Sequence, residues 1–257
     1  MRNRICLFAS CILLLVLSVV PAMAEKNPNK AIGYFFEQAP TIDGDLSEWN
    51  LAKPAVVIEP GSNVMKGDLE SAADLTLKLY VGWDYEYLYI AVDALDDSVL
   101  GTFDLSDYWA QDRVNLCFDA LNDSTLEAYG KDNPGSDEWQ DDDYWVYFHP
   151  FGGDEEEGLV TIMCNTHWTA VADAEIAAVR TDDGYRTEVK LPIVQLPELW
   201  IEEGTVIGFD VFVTDGDVND WGELVMSEIM WGGFDYPEGG GIRWQYWKVG
   251  ALEFVVE

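Results

Sequence analysis

Polar and apolar residues alternate with period two along most of this chain, the spacing of β-strands with one face buried. In Leu75-Thr76-Leu77-Lys78-Leu79-Tyr80-Val81 the leucines and the valine share one face. Tyr87-Leu88-Tyr89-Ile90-Ala91-Val92-Asp93 repeats the pattern, and Asp84-Tyr85-Glu86 between them reads as a hairpin turn. The same alternation predicts strands over Arg113–Asp119, 144–149, Leu159–Cys164, 174–180, 185–191, 206–214, Leu224–Met230 and 247–256. Asp182-Asp183-Gly184 is a turn between two of these. Nothing has the period of a long amphipathic helix, and at most a helical turn or two fits 46–50 or 193–196. About ten strands separated by turn signals predict an all-β fold, a two-sheet antiparallel β-sandwich of the jelly-roll or immunoglobulin-like kind. Residues 122–143, rich in Asn, Asp, Gly and Ser and containing Pro134, read as one long loop.

The N-terminus departs from this pattern. Arg2 and Arg4 precede an apolar run from Ile5 to Val20, followed by Pro21 and Ala22-Met23-Ala24. This is the form of a secretory signal peptide, residues 1–24, cut after Ala24. The run is short for a spanning helix, which needs about 20 apolar residues. The expectation is a secreted or periplasmic protein without membrane insertion, a single domain over residues 25–257.

Charge then narrows the partners. Removal of Arg2 and Arg4 takes the basic residues from 14 to 12 against 48 acidic ones, a net charge of −36 for the mature chain. Such a surface repels nucleic acid and anionic lipid, and favours hard cations or uncharged ligands. With 11 Trp, 12 Tyr and 11 Phe the chain has too many aromatic residues for a disordered acidic segment. Cys117 and Cys164 remain after cleavage, and an exported compartment leaves their pairing open. Nothing in the sequence calls for more than a monomer.

No catalytic constellation stands out. Acidic pairs are too numerous to be distinctive, His149 and His167 have no nucleophile motif beside them, and no His-Glu-x-x-His is present. The expectation is a protein that is not an enzyme. Sugar binding has more to draw on, because the C–H faces of sugar rings stack on flat aromatic side chains while their hydroxyls need polar partners. Trp109 lies in the polar stretch Tyr108-Trp109-Ala110-Gln111-Asp112, and Arg243-Trp244-Gln245-Tyr246-Trp247 follows a glycine run. Alternation turns Asn115, Cys117 and Asp119 away from Val114, Leu116 and Phe118, and places Trp145, Tyr147 and His149 on one face.

Several of these segments, in order, resemble the family 9 carbohydrate-binding modules, which are DOMON-like β-sandwiches. Thr41-Ile42-Asp43-Gly44-Asp45-Leu46-Ser47-Glu48-Trp49 is similar to their opening signature. Gly82-Trp83-Asp84-Tyr85-Glu86-Tyr87-Leu88-Tyr89 resembles their Trp-Asp…Leu-Tyr hairpin, and 109–119 the segment in which a sugar-stacking Trp starts a strand. Gly184 to Pro192, Ile207-Gly208-Phe209-Asp210 and Thr214-Asp215 continue the likeness. The resemblance implies an oligo- or polysaccharide held between two tryptophans, with calcium supporting the loops. By position Trp109 is the first stacking residue, and Trp244 fits the second better than Trp247. Gln111, Asn115, Trp145, Tyr147 and Arg243 complete the candidate site. Asn115 stands where the family uses a carboxylate, and Tyr147 where it uses an arginine.

For calcium, Asp215-Gly216-Asp217-Val218-Asn219-Asp220 packs oxygen ligands into a glycine-containing turn, with Asp97 as a further ligand and Asp43, Asp45 and Asp96 at other turns. Two other functions fit a related sandwich. One is haem held between sheets by Met65, Met163 or His167. The other is a cell-surface structural or interaction domain without a ligand.

Overall fold

Each stretch with period-two alternation contains a strand in the computed structural model. It describes residues 29–101, 110–123, 141–151, 159–164, 167–219, 221–232 and 249–256, with backbone alone for 159, 162–164 and 167–170. In chain order the strands are β1 (Lys30–Phe35), β2 (Val56–Ile58), β3 (Asn63–Lys66), β4 (Leu75–Trp83), β5 (Tyr87–Asp96), β6 (Arg113–Asp119) and β7 (Asp143–His149). Then come β8 (Leu159–Cys164), β9 (His167–Ala170), β10 (Glu175–Arg180), β11 (Gly184–Pro192), β12 (Val206–Val218), β13 (Leu224–Met230) and β14 (Gly250–Val255). The helical content expected at 46–50 and 193–196 is one 3-10 turn at each place, Leu46–Glu48 and Ile193–Gln195.

The all-β class stands, but the described residues contain fourteen strands in place of about ten, and these join in one sheet rather than two separate ones. The order β10-β11-β5-β4-β1-β14-β12-β6-β7-β8-β9 explains why. The runs on either side are antiparallel, whereas β1 pairs in parallel with both β4 and β14. This one short strand joins the two halves. A single core cluster then takes Leu88, Ile90 and Val92 from one half and Leu116, Phe118 and Val211 from the other. The sheet therefore curls back on itself around a shared interior.

A smaller apolar cluster lies on the opposite face of β4 and β5, where Leu46 and Trp49 pack on Tyr80, Tyr89 and Ala91. Burial on both faces is the reason these strands carry few polar residues. Cys117 is a free, buried thiol. Strand β7 lies between it and Cys164 on β8. Two strand spacings, about 9–10 Å, exceed the roughly 7 Å between Cα atoms that a disulfide tolerates.

Candidate functional site

The face of β12, β6 and β7 turned away from the core is where polar and aromatic residues gather. Val114, Leu116 and Phe118 enter the core, so Arg113, Asn115, Cys117 and Asp119 point the other way, as alternation requires. This face is not an ordinary solvated one, since Asn115 and Asp119 are both 0% exposed. Asn115 donates from Nδ2 to the Phe212 carbonyl at 3.1 Å and accepts from Trp145 Nε1 at 2.9 Å. Its amide is therefore occupied inside the protein, where it orients the half-buried Trp145 indole. Trp145 and Tyr147 rings meet at 6.3 Å, and Tyr147 and His149 at 5.7 Å.

The Arg113 guanidinium lies over the Tyr147 ring at 5.7 Å and donates to Thr214 Oγ1 at 3.1 Å. A cation thus reaches Tyr147 from the neighbouring strand. Arg113 occupies the same face as Asn115, two positions earlier, which is the signal that would have nominated it. His149 shares a hydrogen bond at 3.2 Å between Nδ1 and the Asp112 carbonyl, an acceptor that assigns the proton to Nδ1. Burial first, then the Arg113 charge, lowers its pKa to about 3, so the ring is neutral.

A second centre lies at one end of the barrel. The core-facing row of β5 runs Leu88, Ile90, Val92, Ala94 and ends on Asp96. The row of β6 is preceded by Asp112, and that of β12 runs Phe209, Val211, Val213 into Asp215 and Asp217. Carboxylate oxygens of Asp96, Asp112 and Asp215 lie within 4.8 Å of one another, as do those of Asp74, Asp215 and Asp217. Asp112 is fixed by two backbone amides, Leu100 N at 2.6 Å and Gly216 N at 2.9 Å. Asp96 Oδ2 and Asp215 Oδ2 are buried without a hydrogen-bond partner. Burial, then the Asp217 carboxylate, pushes Asp96 up to about 6 and Asp215 up to about 8. Burial followed by Asp96 raises Asp112 well above the carboxylate range. An all-oxygen donor set with unpartnered buried oxygens fits a hard cation such as calcium.

In a third acidic group, Asp119, Asp142 and Asp143, two members hold nearby backbone. Asp142 accepts from Leu121 N at 3.0 Å and Asp119 from Asp123 N at 3.2 Å, so these carboxylates hold the chain where it leaves β6.

A family model described as carbohydrate family 9 binding domain-like matches residues 42–238. The chain belongs to that family. Two solved family 9 modules from Caldicellulosiruptor kristjanssonii have a similar fold. One, in complex with cellotriose, is 16% identical with a TM-score of 0.55, covering 89% of this chain and 94% of its own. The other, in complex with glucose, is 18% identical with a TM-score of 0.53, covering 88% and 96%. A search of curated proteins finds no match.

Within this family 9 chain the candidate residues divide. Asn115, Trp145 and Tyr147 come together on the β6–β7 face. Gln111 is buried just before β6, next to Asp112 of the acidic centre. Trp109, Arg243, Trp244 and Trp247 lie outside the described residues, as does Asp220. Asp215 and Asp217 join the acidic centre, but as part of β12, which continues to Val218, and not of a turn. Asp97 is exposed and outside both triads, because β5 ends with Asp96 facing in and Asp97 follows facing out. Asp43 and Asp45 serve the loop around them, Asp45 capping the 3-10 turn at Leu46–Glu48. Of the haem candidates, the Met163 and His167 side chains are outside the described ones.

Proposed function

We propose that this protein is a non-catalytic glycan-binding domain that acts outside the cytoplasm. The family match carries the reading, because it spans the segments that build the β6–β7 face and its aromatic and polar side chains. In this reading the sugar stacks on Trp109 and Trp244, while Trp145, Tyr147 and Arg243 supply the edge of the site. Asn115 acts one step back, holding Trp145 by the 2.9 Å bond. The two similar modules in complex with cellotriose and glucose make β-gluco-oligosaccharides the first ligands to try.

Calcium belongs to the same proposal as a structural ion. Asp96, Asp112 and Asp215, with Asp74 and Asp217, would hold it, and it would neutralise carboxylates that otherwise repel at the end of the core. A core end closed by a cation fixes the start of β6, and with it Arg113 and Asn115. Chelation is expected to lower the melting temperature and added calcium to restore it.

Titration calorimetry and glycan-array binding of the secreted, intact protein test the function. Binding to a gluco-oligosaccharide is expected, weakened at least tenfold by Trp109→Ala or Trp244→Ala. An absence of binding to any glycan would overturn the reading, and unchanged affinity in both variants would overturn the stacking part of it.

A further inference from the structure

The outer face of β6 and β7 does not stop at β12. Residues paired across strands share a face of the sheet, and Phe212 pairs with Asn115 on one side and Met230 on the other. Thr214, Gly216 and Val218 carry the same face outward along the β12–β13 hairpin, where Leu224 pairs with Val218. The chain entering β6 crosses this face, since a Cβ on Gly216 would meet the carbonyl oxygen of Ala110, the residue after Trp109 in sequence. Beyond the crossing Val218 and Leu224 are exposed, and Trp221 at the hairpin tip is 83% exposed.

An indole left in water forgoes its hydrophobic gain, and this one is held there by its turn. Asn219 Oδ1 accepts the backbone amides of Trp221 at 3.0 Å and Glu223 at 2.9 Å, and Asn219 Nδ2 donates to Glu223 Oε2 at 3.2 Å. The Gly222 amide, at a φ of +77°, donates to the Asn219 carbonyl at 2.8 Å. The turn is therefore preformed, and a ligand reaching the indole has little backbone to order. From Phe212 to Met230 the hairpin contains no lysine or arginine, so it offers no attraction to anionic lipid or nucleic acid. A flat aromatic ring among carboxylates suits an uncharged ligand that presents C–H faces.

We infer that Trp221 is an outer stacking position for an extended glycan chain, one that a disaccharide held at the main site does not reach. The inference rests on the glycan-binding reading and adds that the ligand is an oligosaccharide long enough to run along the hairpin. From the Ala110 crossing at Gly216 to Asn219 at the tip is three strand residues, about 10 Å, the span of a short oligosaccharide. Val218 and Leu224 line that path with apolar surface.

Titration calorimetry of the intact protein with cellobiose and cellohexaose tests this. The wild-type protein should bind cellohexaose about tenfold more tightly than cellobiose, the size of one aromatic contact. Trp221→Ala should remove most of that gain without lowering the melting temperature, because the side chain is exposed. Trp221→Tyr keeps a ring at the tip and should retain much of the gain. Equal affinity for the two oligomers in the wild type, or a full gain that survives Trp221→Ala, overturns the outer position while leaving glycan binding intact. Binding of neither oligomer overturns the gluco-oligosaccharide reading, and the outer position with it.

Discussion

Trp49 donates its indole Nε1–H to Oε1 of Glu188 at 2.8 Å, across 139 positions of sequence. The other oxygen of the same carboxylate accepts the backbone amides of Asp43 at 3.1 Å and Gly44 at 2.8 Å. One buried side chain on β11 thus holds both ends of the Thr41–Trp49 signature against the outer face of β4 and β5. The signature is structural here, anchored on β11, which stands six places from β6 in the strand order. Hydrogen bonds to a charged group contribute about 1.5–3 kcal/mol each, and an orphaned buried donor costs a similar amount. Glu188→Ala should therefore destabilise by several kcal/mol, and Trp49→Phe by about 1.5–3 kcal/mol. In a denaturant double-mutant cycle the two losses should not add, and additive losses would show that the pair is not coupled.

The loop held by Glu188 also depends on a glycine. Gly44 has φ +84°, and a Cβ there would sit 2.5 Å from Val179 Cγ2 on β10. Gly204 has the same φ of +84° with nothing within 4 Å of its Cβ position. Both alanine variants incur the left-handed strain of about 1–2 kcal/mol, and only Gly44→Ala adds the clash. Gly44→Ala should thus unfold at clearly lower denaturant than Gly204→Ala. Equal midpoints would mean that Val179 moves aside freely.

These two residues illustrate how far the sequence could be read. Alternation identified β4, β5, β6 and β11 because their buried rows are unbroken and their turns are marked by Asp, Asn and Gly. It did not reveal β1, where Gly33 interrupts the row because a Cβ would press on Phe254 and Val81 at 3.1 Å. It also missed β2, of three residues, and the mostly exposed β3. Asp215 and Asp217 were visible as a local cluster of oxygens. Asp96 and Asp112 were harder to join to them, because the acidic centre is assembled from the ends of β5, β6 and β12, and no single segment contains it. The Glu188 anchor was likewise invisible, since its donors come from a loop more than a hundred residues earlier.

Asp210 offers a test by pH. It is fully buried on β12, accepts from Val211 N and Gly232 N at 2.8 Å on one oxygen, and has no partner on the other. Burial pushes its pKa up to about 7. The folded state then holds a proton that the unfolded state has released between about pH 4 and pH 7, so this group's contribution to stability is lost as pH rises through that window. The shift corresponds to a ceiling on the order of 4 kcal/mol. Asp210→Asn mimics the protonated form. Measured in chelator, its stability relative to wild type should rise from pH 4 to pH 8 and level off above. Parallel stability curves for the two proteins would remove Asp210 as the source.

The last prediction separates folding from recognition at the β6–β7 face. Trp145→Phe keeps an aromatic ring beside Tyr147 but removes the N–H that Asn115 Oδ1 accepts at 2.9 Å. Asn115 still donates to the Phe212 carbonyl at 3.1 Å, so its place on β6 survives. The stability cost should be about 1–3 kcal/mol, because the buried Asn115 Oδ1 loses its donor. If Trp145 forms the edge of the glycan site, losing its fixed orientation should weaken glycan binding several-fold in calorimetry. Asn115→Leu, which breaks the same bond from the other side, should have the same effect on affinity while leaving the Trp145 ring in place. Affinity unchanged in both variants would move the site off this face.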